Sequence, residues 1–108
     1  MVVREISKIE DLVRIIKGSP IPILVEIIDS RLSKSALSDF FTELSNMFEG
    51  RIGFLRINID VTPDVLNVIR ISYIPAYIGF DNGNIVDVLE SPHPIHLKRF
   101  IEKLSRII

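Results

Sequence analysis

The sequence predicts an α/β fold, a three-layer α/β/α sandwich around a mixed central sheet. Runs rich in β-branched residues, "ILVEII" and "RIGFLRINID", alternate with stretches whose apolar residues recur at helical spacing. Further on, "AYIGFDNGNIVDVL" sets two strand-like runs around Asn82-Gly83, one of the strongest short hairpin signals. That hairpin adds an antiparallel pair to an otherwise parallel alternation, so the sheet is mixed.

Each element has its own warrant. Val2 to Ile6 reads as a short first strand. Ser7 with Glu10 forms a capping-box pattern opening an amphipathic helix, with Ile9, Leu12, Val13 and Ile16 on one stripe and Gly18 stopping it. Pro20 and Pro22 flank the entry to "ILVEII", whose near-continuous apolar character suits a central, parallel strand covered on both faces. From Ser35 to Glu49, Leu37, Phe40, Phe41, Leu44 and Phe48 keep helical spacing up to Gly50 and predict the long helix. After "RIGFLRINID", Thr62 as N-cap, Pro63 at the first helical position and Asp64 in the first turn predict a short helix. A terminal helix follows Pro94, with Ile95, Phe100, Ile101, Leu104 and Ile108 on one side.

Residues 1–108 contain no linker, repeat or low-complexity stretch, and so predict a single domain. A chain of this size buries roughly 60–70% of its unfolded surface and needs no covalent staple. It has none: cysteine is absent, which excludes disulfides, thiolate metal sites and thiol redox cycling by this chain alone. The net charge is -1 with acids and bases interspersed, which argues against nucleic acid as a partner. Apolar runs are broken well before the ~20 residues of a membrane helix, and "MVVREISK" turns charged too early for a signal peptide. The expected location is therefore cytoplasmic. Heavy use of isoleucine, the lack of glutamine and tryptophan, and short loops are compatible with a heat-adapted source.

"PILVEII", "EGRIGFLRINID" and "ISYIPAYIGFDNGNIV", in this order and spacing, resemble the thioredoxin family over nearly the whole chain. In that family an acid in the second strand is followed by the first catalytic cysteine after six residues and by the second after nine. Counting from Glu26 reaches Leu32 and Ser35, so the resemblance places Leu32-Ser33-Lys34-Ser35 where the redox motif stands. A loop one residue shorter shifts the register to Arg31–Lys34, and neither register yields a thiol. A serine hydroxyl cannot take over thiol–disulfide exchange. The resemblance also implies a cis-proline, Pro75, before the fourth strand, with Tyr73 and Ile74 as an edge that in relatives holds an extended peptide. It puts Glu90 where the family usually has a glycine, with Ser91-Pro92-His93-Pro94 as a stiff rim that would hinder such docking.

A carboxylate such as Glu26 inside an apolar strand is costly unless paired. Arg56, in an equally apolar strand and where the family has a lysine, is its expected partner, the acid being ionised at neutral pH and the pair structural. His93 and His96 could share a helix face but lack further ligands, so no metal is expected. Ser33 or Ser35 with a histidine suggests a hydrolase, yet no G-x-S-x-G elbow is present. The glycines are scattered, with no phosphate loop and no cofactor implied. Phe40, Phe41, Met47 and Phe48 read as core, with one left over for an interface. The expectation is a redox-inactive binding or assembly module, with no catalytic residue. Its contact face comprises Ile28, Leu32, Ser33, Lys34, Ser35, Tyr73, Ile74, Pro75 and Glu90, and its partner is another protein or a second copy. The alternative is a non-redox enzyme using Ser33, Lys34, Ser35 or the histidines, or a protein binding a glutathione-like thiol at the proline edge.

Overall fold

The computed structural model describes residues 2–107. The elements run β1 (Val3–Glu5), α1 (Ile9–Gly18), β2 (Ile23–Ile28), α2 (Ala36–Met47), β3 (Gly53–Asn58), α3 (Val65–Val68), β4 (Ala76–Asp81), β5 (Asn84–Glu90) and α4 (Pro94–Leu104), with one 3-10 turn at Leu32–Lys34. The strands form one five-stranded sheet in the order β1-β3-β2-β4-β5. β1 and β2 both lie parallel to β3, while β4 is antiparallel to β2 and to β5. The sheet is thus mixed, with helices on both faces, and the predicted α/β architecture is the one observed. β2 is central, as its near-continuous apolar run predicts, and all six of its residues are buried.

The two-residue period of the strands sorts the core into two layers. Val25, Ile27, Leu55, Ile57 and Ile78 project to the side covered by α1 and α3. Leu24, Phe54 and Tyr77 project to the other, where Phe41 and Leu44 of α2 and Leu97, Phe100, Ile101 and Leu104 of α4 cover them. Gly79 lets α4 come close, since a Cβ there would lie 2.8 Å from the Phe100 ring. The hairpin turns at Asn82 and Gly83, both with positive φ (53° and 82°), as its primed turn demands. β5 is an edge strand: Ile85 and Val86 are exposed, and the Val88 N–H donates to Asp87 Oδ1 at 2.8 Å.

Several local expectations need correction. α1 starts at Ile9 with Lys8 as its N-cap and no side-chain cap, so the Ser7–Glu10 capping box does not form. The Ser7 carbonyl instead accepts the Thr62 hydroxyl at 2.9 Å. Thr62 is accordingly buried and is not the N-cap of α3, a single turn preceded by Asp64. The Thr62 hydroxyl is thus spent on a long-range contact, while the Ser7 box fails because α1 begins one residue later than the pattern requires, with Lys8 at the cap position. In α4 the buried stripe is Leu97, Phe100, Ile101 and Leu104; Ile95, in the first turn, lies off that stripe and is exposed. Ile108 lies outside the described residues. Met47 is the residue left over from the α2 set, 67% exposed, while Phe40 and Phe48 are half-buried and Phe41 is buried.

Candidate functional site

Strand register gathers the predicted site at one end of the sheet. Ile27 of β2 pairs with Ala76 of β4, and Ala76 pairs with Glu90 of β5. The segment leaving β2 (residues 29–35), the segment entering β4 (residues 72–75) and the end of β5 therefore meet at the same end. The Ile74–Pro75 peptide bond is cis.

The first segment is a hydrogen-bonded turn. Leu32 N–H donates to Asp29 Oδ1 at 2.8 Å, and Ser33 N–H to the Asp29 carbonyl at 3.0 Å. The Ser33 hydroxyl donates to the Ser30 carbonyl at 2.7 Å. Ser35 is the N-cap of α2, its Oγ accepting the Ser38 N–H at 3.1 Å, the usual use of serine at that position. Both hydroxyls named as possible nucleophiles thus hold the turn and the helix start, and neither bonds a histidine. Lys34 is exposed and Leu32 half-buried. Residues outside the sequence-based set tie this turn to the end of β3. The Ser30 N–H donates to Asp60 Oδ2 at 2.9 Å, and Asn58 Nδ2 donates to Ser30 Oγ at 3.0 Å. The Ser30 backbone and hydroxyl hold the Asp60 carboxyl below its ordinary value. The polar residues in "INID" were the only sequence signal for this tie.

Ile28 requires correction. It is 1% exposed and lies beneath the surface, so it is not part of a contact face. Tyr73, by contrast, is 68% exposed, and Ile74 and Pro75 are half-buried. The Glu90 carboxylate bends back to accept both the Ser72 N–H and the Tyr73 N–H, the latter at 3.3 Å. Ser91 Oγ donates to the Ile74 carbonyl at 3.3 Å and Ser91 N–H to the Pro75 carbonyl at 2.7 Å. The residue in the left-handed region is Ser91 (φ 46°), not Glu90.

Below this end, on the α2/α4 side of the sheet, lies the buried acid. Glu26 is fully buried, and Arg56 Nε donates to its Oε1 at 2.6 Å. Oε1 also accepts Ser38 Oγ at 3.0 Å, and Oε2 accepts the Tyr77 hydroxyl at 2.7 Å. Arg56 Nη2 donates in turn to Thr42 Oγ1 at 2.8 Å and Ser38 Oγ at 3.2 Å, with the guanidinium 5.7 Å from the Phe41 ring centre. Burial pushes the Glu26 carboxyl above its ordinary value of 4.5, against the pull of Arg56, Tyr77 and Ser38. It pushes Tyr77 up as well, helped by the neighbouring Glu26 charge. No buried side-chain polar atom lacks a partner among the described residues. The carboxylate, the guanidinium and the hydroxyls of Ser38, Thr42 and Tyr77 thus satisfy one another within the network.

His93 caps α4, its Nδ1 accepting the Ile95 N–H at 3.2 Å, with the His96 ring 6.1 Å away. Among the described residues no group of three or more acidic or histidine side chains could hold a metal ion. An apolar groove of about 210 Å³ lies elsewhere, between α1 and the β4–β5 hairpin, lined by Leu12, Ile16, Val68, Ile69 and Ile85 among others.

The strand order, the single antiparallel turn-back of β4 and the helices on both faces define a thioredoxin-fold protein. Solved structures with this fold superpose closely. The oxidised thioredoxin of Plasmodium falciparum matches with a TM-score of 0.84 and 21% identity over 95% of this chain and 98% of that one. A mutant thioredoxin of Entamoeba histolytica matches with 0.84 and 17% over 94% and 98%. The thioredoxin of Malassezia sympodialis matches with 0.82 and 18% over 95% and 90%. No protein-family model and no curated protein sequence matches the chain. The likeness is one of fold, and the chain carries it without a cysteine, so it has no thiol of its own for disulfide exchange.

Proposed function

We propose that residues 1–108 act as one thioredoxin-fold binding or assembly module without redox chemistry, located in the cytoplasm. Its contact surface is the sheet end formed by Leu32, Ser33, Lys34, Ser35, Tyr73, Ile74 and Pro75, and its partner is another protein, a second copy included. The observation that carries this reading is Tyr73, a large side chain 68% exposed beside half-buried Leu32, Ile74 and Pro75 at an end that has no thiol. Covering apolar surface there is favourable at ~25 cal/mol per Å². The reading calls for no cofactor or metal. The net charge of -1 offers nothing to nucleic acid, and no helix among the described residues is long and apolar enough to cross a membrane.

The enzymatic alternative finds less support. Ser33 and Ser35 are committed to the turn and the cap, and a glutathione-like anion at residues 72–74 would meet the Glu90 carboxylate. The test is replacement of Tyr73 or Ile74 by aspartate, followed by sedimentation over a range of concentrations and by capture of partners. Weaker association is expected of both, with an unchanged melting curve for Tyr73→Asp, whose side chain is exposed, and a lowered one for Ile74→Asp, which packs against the core. Association and capture equal to those of the native chain would remove the reading.

A further inference from the structure

The apolar groove of about 210 Å³ between α1 and the β4–β5 hairpin shares no lining residue with the sheet end formed by residues 32–35 and 72–75. Its buried lining is Leu12, Ile16, Ile69 and Phe80. Val68 and Ile85, each more than half exposed, also line it, so apolar surface continues out of the groove into solvent. The one charged side chain in its lining is Lys17. A Cβ at Gly83, in the hairpin turn, would lie 3.8 Å from Lys17 Cγ, so the Lys17 stem runs across that turn. Lys17 is exposed and forms no ion pair among the described residues.

We infer that this groove binds a medium-chain aliphatic carboxylate, its alkyl body lying along Leu12, Ile16 and Ile85 and its carboxylate meeting Lys17. An apolar cavity of about 150 Å³ takes a molecule the size of benzene, so a groove of about 210 Å³ sets the body at about eight carbons. The hydrocarbon lining by itself would accept any such chain, and the sign of the charge at the rim selects the head group. The full positive charge of Lys17 outweighs the roughly half negative charge at the C-terminal end of α1, in whose last turn it stands. An ammonium head would meet a like charge there, and a neutral alcohol would gain the apolar contact alone. This site is independent of the contact surface at the other end of β4.

The test follows methyl and amide NMR shifts of the native chain, Lys17→Met and Ile85→Ser during titration with sodium octanoate, n-octanol and octylammonium chloride, each below its aggregation concentration. Octanoate should give saturable shifts at Leu12, Ile16, Ile69 and Ile85 in the native chain. It should bind roughly three- to fivefold more tightly than octanol and about tenfold more tightly than octylammonium, as one exposed charge contact allows. Lys17→Met, altered at an exposed position, should keep the native melting curve and bind octanol as before while losing the preference for octanoate. Ile85→Ser should weaken all three ligands. Absence of saturable octanoate shifts at these residues, equal affinity for the three head groups, or an octanoate preference that survives in Lys17→Met would each overturn the proposal. So would shifts at the same residues on raising the protein concentration without ligand, which would make the groove an interface between copies of the chain.

Discussion

The two faces of the sheet solve the same packing problem with different materials. Toward α1 and α3 the strands present hydrocarbon: Val25, Ile27, Leu55, Ile57 and Ile78. Toward α2 and α4 the same strands present an ion pair beside an aromatic cluster, with Phe41 lying 5.6 Å from Phe54 and 5.4 Å from Tyr77, centre to centre. The difference teaches that burial of charge is governed by partner count. Glu26 is tolerated because three donors, Arg56 Nε, Ser38 Oγ and the Tyr77 hydroxyl, meet its two oxygens, and because α2 supplies the Ser38 and Thr42 hydroxyls where Arg56 needs acceptors. The hydrocarbon face needs only shape, whereas the polar face needs every member present.

The largest expected effect comes from breaking the polar face on one side only. Arg56→Met leaves a buried carboxylate with no cation and should cost about 3–5 kcal/mol in urea unfolding, with part of that recovered when Glu26 is also made apolar. A loss near zero would mean that solvent reaches Glu26 freely. Glu26→Gln should cost about 1–3 kcal/mol, because an amide replaces one acceptor oxygen by a donor facing groups that also donate. A change below about 0.5 kcal/mol would place the pair among exposed ones. On the hydrocarbon face, Ile57→Val removes one methylene from a fully buried side chain and should cost about 0.5–1.5 kcal/mol. If it exceeded the Glu26→Gln loss, the contrast between the faces would be reversed.

The smallest effect is a pH slope, and its sign follows from burial. The Glu26 carboxyl titrates above 4.5 in the folded chain, so as pH rises from 4.5 toward the raised value the unfolded chain has already released a proton that the folded one retains. Glu26's contribution to stability should therefore be full below 4.5 and decline through that window, and the decline should be missing in Glu26→Gln. Tyr77 acts in the same direction at alkaline pH: its hydroxyl stays protonated in the fold as pH passes its ordinary 10, so stability falls there too. Urea titrations at stepped pH measure both slopes, and a rise of native stability across either window relative to Glu26→Gln or Tyr77→Phe would contradict the assignment.

Much of this architecture was legible in the chain, for reasons of period and contrast. β2 and β3 stood out as apolar runs, and Glu26 and Arg56 stood out against them as the charges most in need of each other. Their register across β2 and β3 then makes them direct neighbours. Tyr77, Ser38 and Thr42 were not legible as members of the network, because nothing local distinguishes a hydroxyl that meets a carboxylate from one that meets water. The same limit explains Thr62, whose cap pattern was sound locally but whose hydroxyl is taken by the Ser7 carbonyl 55 positions away. At the candidate site, residues 32–35 and 73–75 could be placed at one end from the order of elements. The burial of Ile28 and the return of Glu90 onto Ser72 and Tyr73 depend on side-chain direction, which a residue count does not carry.

The Asp87 carboxylate on the Val88 N–H bears on the chain's behaviour in a crowded solution. Ile85 and Val86 on an unflanked border would invite another molecule to extend the sheet, and this single acid occupies one of the donors such growth would need. Asp87→Ala is therefore expected to leave the fold intact and to raise edge-to-edge association at high concentration, read as increased light scattering beside the native chain.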